Sequence, residues 1–268
     1  MCRYDKMNRD NRAKIIFAVI IIILLIILGV LGIIIFRFFN SSTDVSGYKK
    51  GTSSGTSSSS GSESAKDKDG VSNPVDFSTL KKTNPEIFGW LYVPDTNIDY
   101  PLLQSRERDD YYLHSDIYGN YLYAGSLYTE VCNSTDMDDR VTVIYGHNMI
   151  DGSMFANLHK FRDTDFFNKH SKFYIYAPNR KLTYQIVSAY EYDDRHLMNT
   201  NNYFSNNKVF KEYLDFIRNP RSISSNVRKK LDHKLTTKDK IVTLSTCLDS
   251  GDGRYLLQGV LVKDESTR

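Results

Sequence analysis

The chain has 268 residues, 35 of them Lys or Arg and 32 Asp or Glu, and a formal net charge of +3. Residues 1–39 hold six of the basic and two of the acidic residues, so the 29 basic and 30 acidic residues that follow nearly cancel. A nucleic-acid partner therefore has no electrostatic support. The three cysteines are too few to indicate a disulfide framework.

The N-terminal segment predicts a membrane anchor. Every residue from Ile15 to Phe36 is apolar or Gly, and a helix of that length spans roughly 33 Å, enough to cross the hydrocarbon core of a bilayer. Basic residues dominate the segment before it. The positive-inside rule therefore places residues 1–14 in the cytoplasm, residues 15–39 in the membrane and the remainder outside the cell. A cleaved signal peptide is disfavoured, because the apolar run is long and no small-residue cleavage site follows it.

Residues 40–72 differ in composition, since their centre from Gly51 to Ser62 consists of Gly, Ser and Thr alone. Such a sequence cannot bury enough apolar surface to fold. We expect a flexible linker with a mean end-to-end distance of about 30 Å. It would tether an extracellular domain formed by residues 73–268.

That domain contains short β-prone runs separated by turn residues, which predicts a mainly β fold closed into a barrel of seven or eight strands. A short helix is expected around Phe77 and Leu80 and another over Met154–Phe161. One long or two short helices are expected over Asn206–Leu231, where apolar residues recur at helical spacing. The expected strands are Gly89–Val93, Ala124–Thr129, Arg140–Tyr145, Lys172–Ala177, Leu182–Tyr192, Lys240–Cys247 and Tyr255–Val262.

Two reactive side chains lie at the ends of consecutive predicted strands. Cys247 ends one run, and Arg254 opens the next after six turn-forming residues, a spacing typical of a hairpin. Neighbouring strands lie about 4.8 Å apart, so a thiol and a permanent cation are expected to face one small site. A disulfide between Cys132 and Cys247 is the alternative, and it is disfavoured because it would consume the thiol.

His147 is the predicted partner of Cys247, because it lies where the apolar run Val141–Tyr145 gives way to a loop, and function concentrates at strand ends held by a rigid sheet. Strand alternation places Tyr145 on the side of His147 and Ser245 on the side of Cys247, so both are predicted to line a substrate groove. The remaining histidines are expected to be partly exposed surface residues: His114, His159, His170, His196 and His233.

A thiol, an imidazole and a guanidinium together indicate acyl transfer through a thioester. A Cys with an ordinary pKa near 8.5 is mostly protonated at neutral pH, so a nucleophilic Cys benefits from a nearby cation or base. An imidazole can protonate a leaving amine and later deprotonate an incoming one. An Arg can hold a peptide carbonyl and stabilise the oxyanion of the tetrahedral intermediate.

The run Thr243–Cys247 followed by Arg254, together with the run Tyr145–Asn148, resembles the motifs of the sortases, membrane-anchored cysteine transpeptidases of Gram-positive bacteria. The resemblance covers roughly residues 73–262. Further segments, and the helical insertion before the Cys strand, are similar to class B: Asn84–Trp90, Ile98–Gln104 and Ala124–Ser126.

The resemblance implies an eight-stranded barrel in which Cys247 is the nucleophile, His147 the general acid and base, and Arg254 the group that orients substrate and oxyanion. It implies cleavage of a C-terminal sorting signal after Thr, a signal that in class B resembles Asn-Pro-x-Thr. The acyl group would then pass to an amine of a cell-wall precursor or of a pilin. No cofactor is implied.

Some sortases bind calcium, and acidic residues crowd the segment before the His147 strand, but they lack a recognisable ligand spacing, so no metal is predicted. These residues are Glu130, Asp136, Asp138 and Asp139.

Two other functions stay open. One is a different extracytoplasmic cysteine peptidase or an L,D-transpeptidase. The other is a noncatalytic tethered binding module in which Cys247 is merely buried.

Overall fold

The computed structural model describes residues 2–39, 43–50 and 71–268, and the side chains of residues 14–36, 43–50 and 71–268. The chain divides into two compact units, Met1–Ser41 and Ser42–Arg268. In the first unit, helix α1 extends over Cys2–Phe39. Its segment Lys14–Phe36 has a mean hydropathy of 3.7 and is long and apolar enough to cross a membrane.

The second unit is built on nine strands in the order β5-β1-β2-β3-β4-β8-β9-β6-β7. A further pairing between β5 and β6 closes eight of them into a barrel and leaves the short β7 outside the ring. The strands are β1 (Ile87–Tyr92), β2 (Asp99–Leu103), β3 (Leu127–Tyr128), β4 (Val141–Tyr145), β5 (Lys172–Ala177), β6 (Arg180–Tyr192), β7 (Ser225–Val227), β8 (Ile241–Cys247) and β9 (Arg254–Ser266).

Short helices cover the outside of the barrel. Helix α2 precedes β1, and the Asp76 carboxylate caps it by accepting the backbone N–H groups of Ser78 and Thr79. The α-helices are α2 (Phe77–Thr83), α3 (Thr164–Lys169), α4 (Leu197–Thr200) and α5 (Asn207–Arg218). Helices of the 3₁₀ type form at Ser46–Tyr48, Tyr111–Leu113, Ala156–Arg162 and Asn202–Phe204.

Strand β8 sends alternate side chains to opposite faces of the barrel wall. Val242 and Leu244 pack in the apolar interior of the barrel. Ile241 packs instead in a second cluster, formed between the outer face of the wall and α5. Because Cys247 is six residues after Ile241, it belongs to the outward-facing set.

A buried polar network joins α5 to this outer face. The Gln258 side-chain amide donates to the hydroxyls of Tyr190 (2.8 Å) and Tyr213 (2.7 Å). The Tyr213 hydroxyl also bonds the Thr243 hydroxyl at 3.0 Å, and Ser188 donates to Gln258 at 3.3 Å. Since buried polar groups are costly unless paired, this network fixes the helical insertion on β6, β8 and β9.

The structure confirms the eight-stranded barrel and contains a strand within each of the seven predicted segments. The predicted strand Ala124–Thr129 is reduced to the two residues of β3, and β9 continues four residues beyond Val262. The structure adds β2 and β7, which sequence periodicity did not indicate. The predicted helix over Asn206–Leu231 is correct only in its first half. Pro220 follows the end of α5 and cannot continue a helix, Ile223 is fully exposed, and Ser225–Val227 instead pairs with β6.

The first part of the predicted linker packs on the folded unit. Val45 is buried, and the Tyr48 hydroxyl bonds that of Thr83 at 3.1 Å. The Lys49 ammonium forms a salt bridge with Asp99. The Gly/Ser/Thr-rich centre of the linker, residues 51–70, lies outside the described residues.

Candidate active site

Cys247 and Arg254 are paired residues at the loop end of the β8–β9 hairpin. The Arg254 Nη1 donates to the Cys247 Sγ at 2.6 Å, and both side chains are half-buried. The connecting loop is closed by the Leu248 N–H, which donates to the Gly253 carbonyl at 3.1 Å. A cation in this place can stabilise negative charge that develops on the sulfur or on an acyl oxygen beside it.

His147 follows β4, the strand that lies parallel to β8. Tyr145 is in register with Ser245, and the Gly146 N–H donates to the Ser245 carbonyl at 3.1 Å. His147 and Cys247 therefore extend from adjoining strand ends. No hydrogen bond joins these two described side chains. The His147 Nε2 instead donates to the Leu113 carbonyl at 2.9 Å, which leaves Nδ1 as an acceptor in the neutral ring.

The surroundings of His147 favour the neutral imidazole. Burial lowers the pKa of His147 below its ordinary value of 6.5, and the positive charges of His114 and Arg254 act in the same direction. The hydrogen bond to Leu113 opposes them only in part. The ring is therefore mostly uncharged at neutral pH, with one nitrogen able to accept a proton.

An aromatic cluster holds the His147 ring. His114 stacks on His147 with ring centroids 5.2 Å apart, and Tyr123 stacks on it at 5.6 Å. The His114 Nδ1 lies 3.2 Å from the Tyr123 carbonyl oxygen. His114 was predicted to be an ordinary surface histidine, whereas the structure places it in contact with the candidate acid-base residue.

Gly125 allows the backbone around residue 125 to pack directly against the backbone of Tyr112 and Leu113. Its φ of +59° is a left-handed conformation, and a Cβ at this position would collide with the Leu113 and Tyr112 carbonyls. The next residue, Ser126, donates its N–H to the Tyr112 carbonyl at 2.9 Å. The acceptor of the His147 proton is thus positioned by a turn that requires glycine.

His159 and Asp249 also contact this site, although the sequence analysis did not select them. The His159 Nε2 lies 3.1 Å from the Cys247 carbonyl oxygen. Asp249 accepts from Asn148 at 2.9 Å and from Arg162 at 2.8 Å, so it ties the loop after Cys247 to the loop after His147. The sequence could have indicated Asp249 only through its position two residues after Cys247. No feature of the sequence around His159 indicated its contact with this site.

The two predicted groove residues are well covered in the structure. Ser245 is 4% exposed and lies on the Cys247 side of β8. The Tyr145 ring stacks on Tyr128 with centroids 5.5 Å apart. Its hydroxyl is buried without a hydrogen-bond partner among the described residues, and burial raises the pKa of this hydroxyl.

Cys132 and Cys247 are both free thiols. The Cys132 sulfur lies 3.7 Å from a Glu130 carboxylate oxygen. Partial burial of the sulfur and the adjacent Glu130 charge raise the pKa of Cys132 to about 12. Cys132 is therefore a protonated thiol at neutral pH.

The acidic residues before β4 are engaged by protein groups. Glu130 bonds His196 at 2.7 Å, and Asp138 bonds Lys240 at 2.6 Å. Asp139 accepts from the Ser134 N–H at 2.6 Å. Within the described parts of the chain, no group of three or more His, Cys, Asp or Glu side chains is arranged to hold a metal ion.

A closed β-barrel that carries a half-buried Cys, an Arg on its sulfur and a His at the adjoining strand end has the architecture of a cysteine transpeptidase. Residues 91–262 match the sequence profile of the Sortase domain. Sortase B of Listeria monocytogenes is 39% identical over 187 residues, which cover 68% of this chain and 72% of that protein. Sortase B of Staphylococcus aureus is 30% identical over 178 residues, which cover 65% and 68%.

The fold comparison agrees with the sequence comparison. The X-ray structure of Clostridium perfringens sortase B superposes with a TM-score of 0.62 at 30% identity and covers 69% of this chain and 99% of that chain. The chain belongs to the sortase family, and its relatives are of class B. Sortases are cysteine transpeptidases, so the chain is an enzyme of that type.

Proposed function

We propose that this sortase is anchored by α1 with its barrel outside the cell, and that it cleaves a C-terminal sorting signal resembling Asn-Pro-x-Thr after the Thr. The protein product is then joined to an amine of a peptidoglycan precursor or of a pilin lysine. The observation that carries the proposal is the contact between the Arg254 guanidinium and the Cys247 sulfur at the end of a rigid hairpin.

In the first half of the reaction, the neutral His147 imidazole accepts the proton of the Cys247 thiol and becomes an imidazolium, and the sulfur attacks the Thr carbonyl carbon. The carbonyl π electrons move to oxygen, and Arg254 stabilises the resulting oxyanion. The C–N bond then breaks, and a proton from the His147 imidazolium accompanies the leaving amine. A thioester between Thr and Cys247 results.

In the second half, the incoming amine attacks the thioester carbonyl, and His147 accepts the proton that the amine loses. Collapse of the intermediate forms the new amide and releases the Cys247 sulfur, which takes the proton back from His147. The neutral resting state of His147, favoured by its burial, suits this acceptor role. Tyr145 and Ser245 are proposed to contact the bound signal.

The full chain in lipid nanodiscs tests the chemistry. Peptides that contain Asn-Pro-x-Thr are offered with and without an added amine, and products are identified by mass spectrometry. We expect cleavage after Thr, amide formation with the amine, and hydroxamate formation when hydroxylamine is added. Cys247→Ala abolishes all three, whereas Cys132→Ala retains them. Cleavage that persists in Cys247→Ala would refute the proposed nucleophile.

Orientation is tested separately on intact cells that express the chain with an epitope at each end. The excess of basic residues before the apolar run Ile15–Phe36 supports a cytoplasmic N-terminus. Externally added protease should remove the C-terminal epitope and spare the N-terminal one. The reverse pattern would contradict the proposed topology.

A further inference from the structure

A cavity of about 700 Å³ lies between α5 and the segment that leads into β8. This volume is in the range of ligand-binding sites. The cavity adjoins Thr236 and Thr237, before the first residue of β8, whereas Cys247 is the last residue of that strand. Seven residues of extended strand span roughly 20 Å, so the cavity is separate from the candidate active site.

The lining of this cavity is strongly basic. The segment 228–240 contains six Lys or Arg and two Asp or Glu, although the chain beyond residue 39 is almost neutral. Asp215 is the single acidic residue of the lining. The basic and imidazole side chains of the lining are Lys211, Arg218, Lys229, Lys230, His233 and Lys234.

Four of these cations are exposed lysines without a partner among the residues that the structure describes. In the described parts of the chain, none of these four ammonium groups forms a salt bridge or hydrogen bond, and all four side chains are exposed. Like charges that converge on a concave surface raise the local potential and attract anions. The four are Lys211, Lys229, Lys230 and Lys234.

The backbone that carries these lysines is fixed. The Arg218 guanidinium donates to the carbonyls of Arg228 (2.5 Å) and Lys229 (3.3 Å), which holds the segment against the end of α5. Gln185 on β6 and Asp232 bond each other twice, at 3.0 and 2.8 Å. The cavity wall is thus ordered before any ligand arrives, and only the lysine side chains must lose freedom on binding.

We propose that this cavity binds phosphate groups that together carry at least two negative charges, such as one pyrophosphate or two phosphodiester headgroups of anionic lipids. Lysine ammonium groups bind phosphate as compact charges, and a phosphate group offers several oxygen acceptors to groups that approach from different walls. A single carboxylate would balance only one of the four uncompensated lysines. Leu214, Leu231 and Leu235 supply apolar surface beside the charges.

Lysine acetylation followed by mass spectrometry tests the proposal on the full chain in phosphatidylcholine nanodiscs. One arm adds soluble pyrophosphate, and the other replaces part of the lipid with phosphatidylglycerol. At a pyrophosphate concentration ten times its Kd, acetylation of Lys229 and Lys230 should slow about tenfold. Lys82 and Lys169, which are exposed elsewhere on the domain, should react at unchanged rates.

Protection in the first arm assigns the site to a soluble phosphate, and protection in the second arm alone assigns it to a lipid headgroup. Equal rates for cavity and control lysines in both arms would overturn the proposal. A charge-matched pair of variants adds a second criterion. Lys211→Gln/Lys234→Gln should bind pyrophosphate at least about tenfold more weakly, while Lys82→Gln/Lys169→Gln should bind as the natural chain does.

The Trp90 fluorescence unfolding midpoint verifies that both double variants remain folded, since Trp90 is the sole tryptophan and is buried in the domain. Added NaCl should weaken pyrophosphate binding, because the interaction is between exposed charges. Equal affinity of the two double variants would also overturn the proposal.

Discussion

His114 lies nearly face to face with His147, with ring centroids 5.2 Å apart and ring planes inclined by 28°. The contact covers one face of the candidate acid-base residue and places a second titratable ring against it. Arg254 adds a fixed positive charge, Tyr123 covers the ring further, and the Leu113 carbonyl accepts its Nε2 proton. His114 is therefore a positioning residue that also influences the charge of its neighbour.

Replacing His114 should move the pH dependence of the reaction. Burial and His114 both lower the pKa of His147, so His114→Ala, which removes cover and charge, should raise that pKa. His114→Phe retains the stacked ring and removes only the charge, so it should raise the pKa by less. The acid limb of the kcat/KM profile reports groups of the free enzyme. It should shift to higher pH in both variants, and further in His114→Ala than in His114→Phe.

The shift can be checked independently by NMR titration of the His147 ring in the full chain. His233→Phe is the control, because His233 is paired with Asp239 and does not contact this cluster. An unchanged acid limb in His114→Ala would show that His114 does not influence His147. A fall in kcat without a pH shift would indicate a purely structural role.

Gly125→Ala tests whether the Leu113 carbonyl must be held in place. The added Cβ would collide with the backbone of Leu113 and Tyr112, so the loop must move and carry the His147 acceptor with it. Misplacement of a reacting group by about 1 Å can reduce the rate roughly 10²-fold. We expect a loss of that order in kcat, measured with the sorting peptide.

Gly119→Ala is a matched control in the same loop. Gly119 also has a left-handed φ, of +81°, but a Cβ there would meet only the Tyr111 hydroxyl, at 3.3 Å. Both variants carry similar backbone strain, of about 1–2 kcal/mol. If Gly119→Ala loses as much activity as Gly125→Ala, strain rather than displacement of Leu113 explains the effect.

His159→Phe should slow the reaction by about tenfold. The ring of His159 stacks on Tyr255, with centroids 5.0 Å apart, and its Nε2 lies beside the Cys247 carbonyl. Phe preserves the stacking but leaves that carbonyl without its donor, and an unpaired buried acceptor costs about 1–3 kcal/mol. The decrease should fall on kcat rather than on KM, because the change disturbs Cys247, the proposed nucleophile, rather than the peptide site.

His159→Gln provides the corresponding rescue, since its amide can donate to the same carbonyl. Burial and the nearby Arg162 charge lower the pKa of His159. The natural residue is therefore neutral at pH 7, and a neutral substitute is appropriate. Equal rates for the Phe and Gln variants would show that the hydrogen bond to Cys247 has no role.

The barrel was predictable because most of its strands are β-prone runs bounded by turn residues, as in Lys172–Ala177, whose ends agree with β5. Strand β2 was missed because its first residues, Asp99 and Tyr100, are followed by Pro101, which interrupts a strand-like pattern. Strand β7 is three residues long and is defined by its pairing with β6 rather than by its own composition.

The placement of Cys247, Arg254 and His147 at adjoining strand ends was predictable because each stands at the end of a recognisable strand. His114 and His159 were not, because their significance depends on contacts with residues far away in sequence. His159 meets Cys247 across 88 residues, and the neighbours of His159 in sequence contain no sign of that contact. Local patterns identify strand ends, whereas loop packing determines what surrounds them.

The two free thiols of the folded unit Ser42–Arg268, Cys132 and Cys247, should differ in reactivity towards iodoacetamide. In a Cys2→Ser background at pH 8, a pKa of about 12 leaves Cys132 with about 10³-fold less thiolate than an ordinary cysteine. The higher nucleophilicity of a basic thiolate offsets part of this difference. Cys132 should still react at least about tenfold more slowly than a free cysteine, and Cys247, the proposed nucleophile, should react first.

Glu130→Gln should accelerate the alkylation of Cys132, because it removes the negative charge that lies against the sulfur. Glu107→Gln, at another exposed position, should leave the rate unchanged. Peptide mass spectrometry over a time course measures the alkylation rates of Cys132 and Cys247 in the same sample of each protein. Alkylation of Cys132 at the rate of free cysteine, or faster than Cys247, would contradict the assignment of the reactive thiol, because exposure alone would then determine which sulfur reacts.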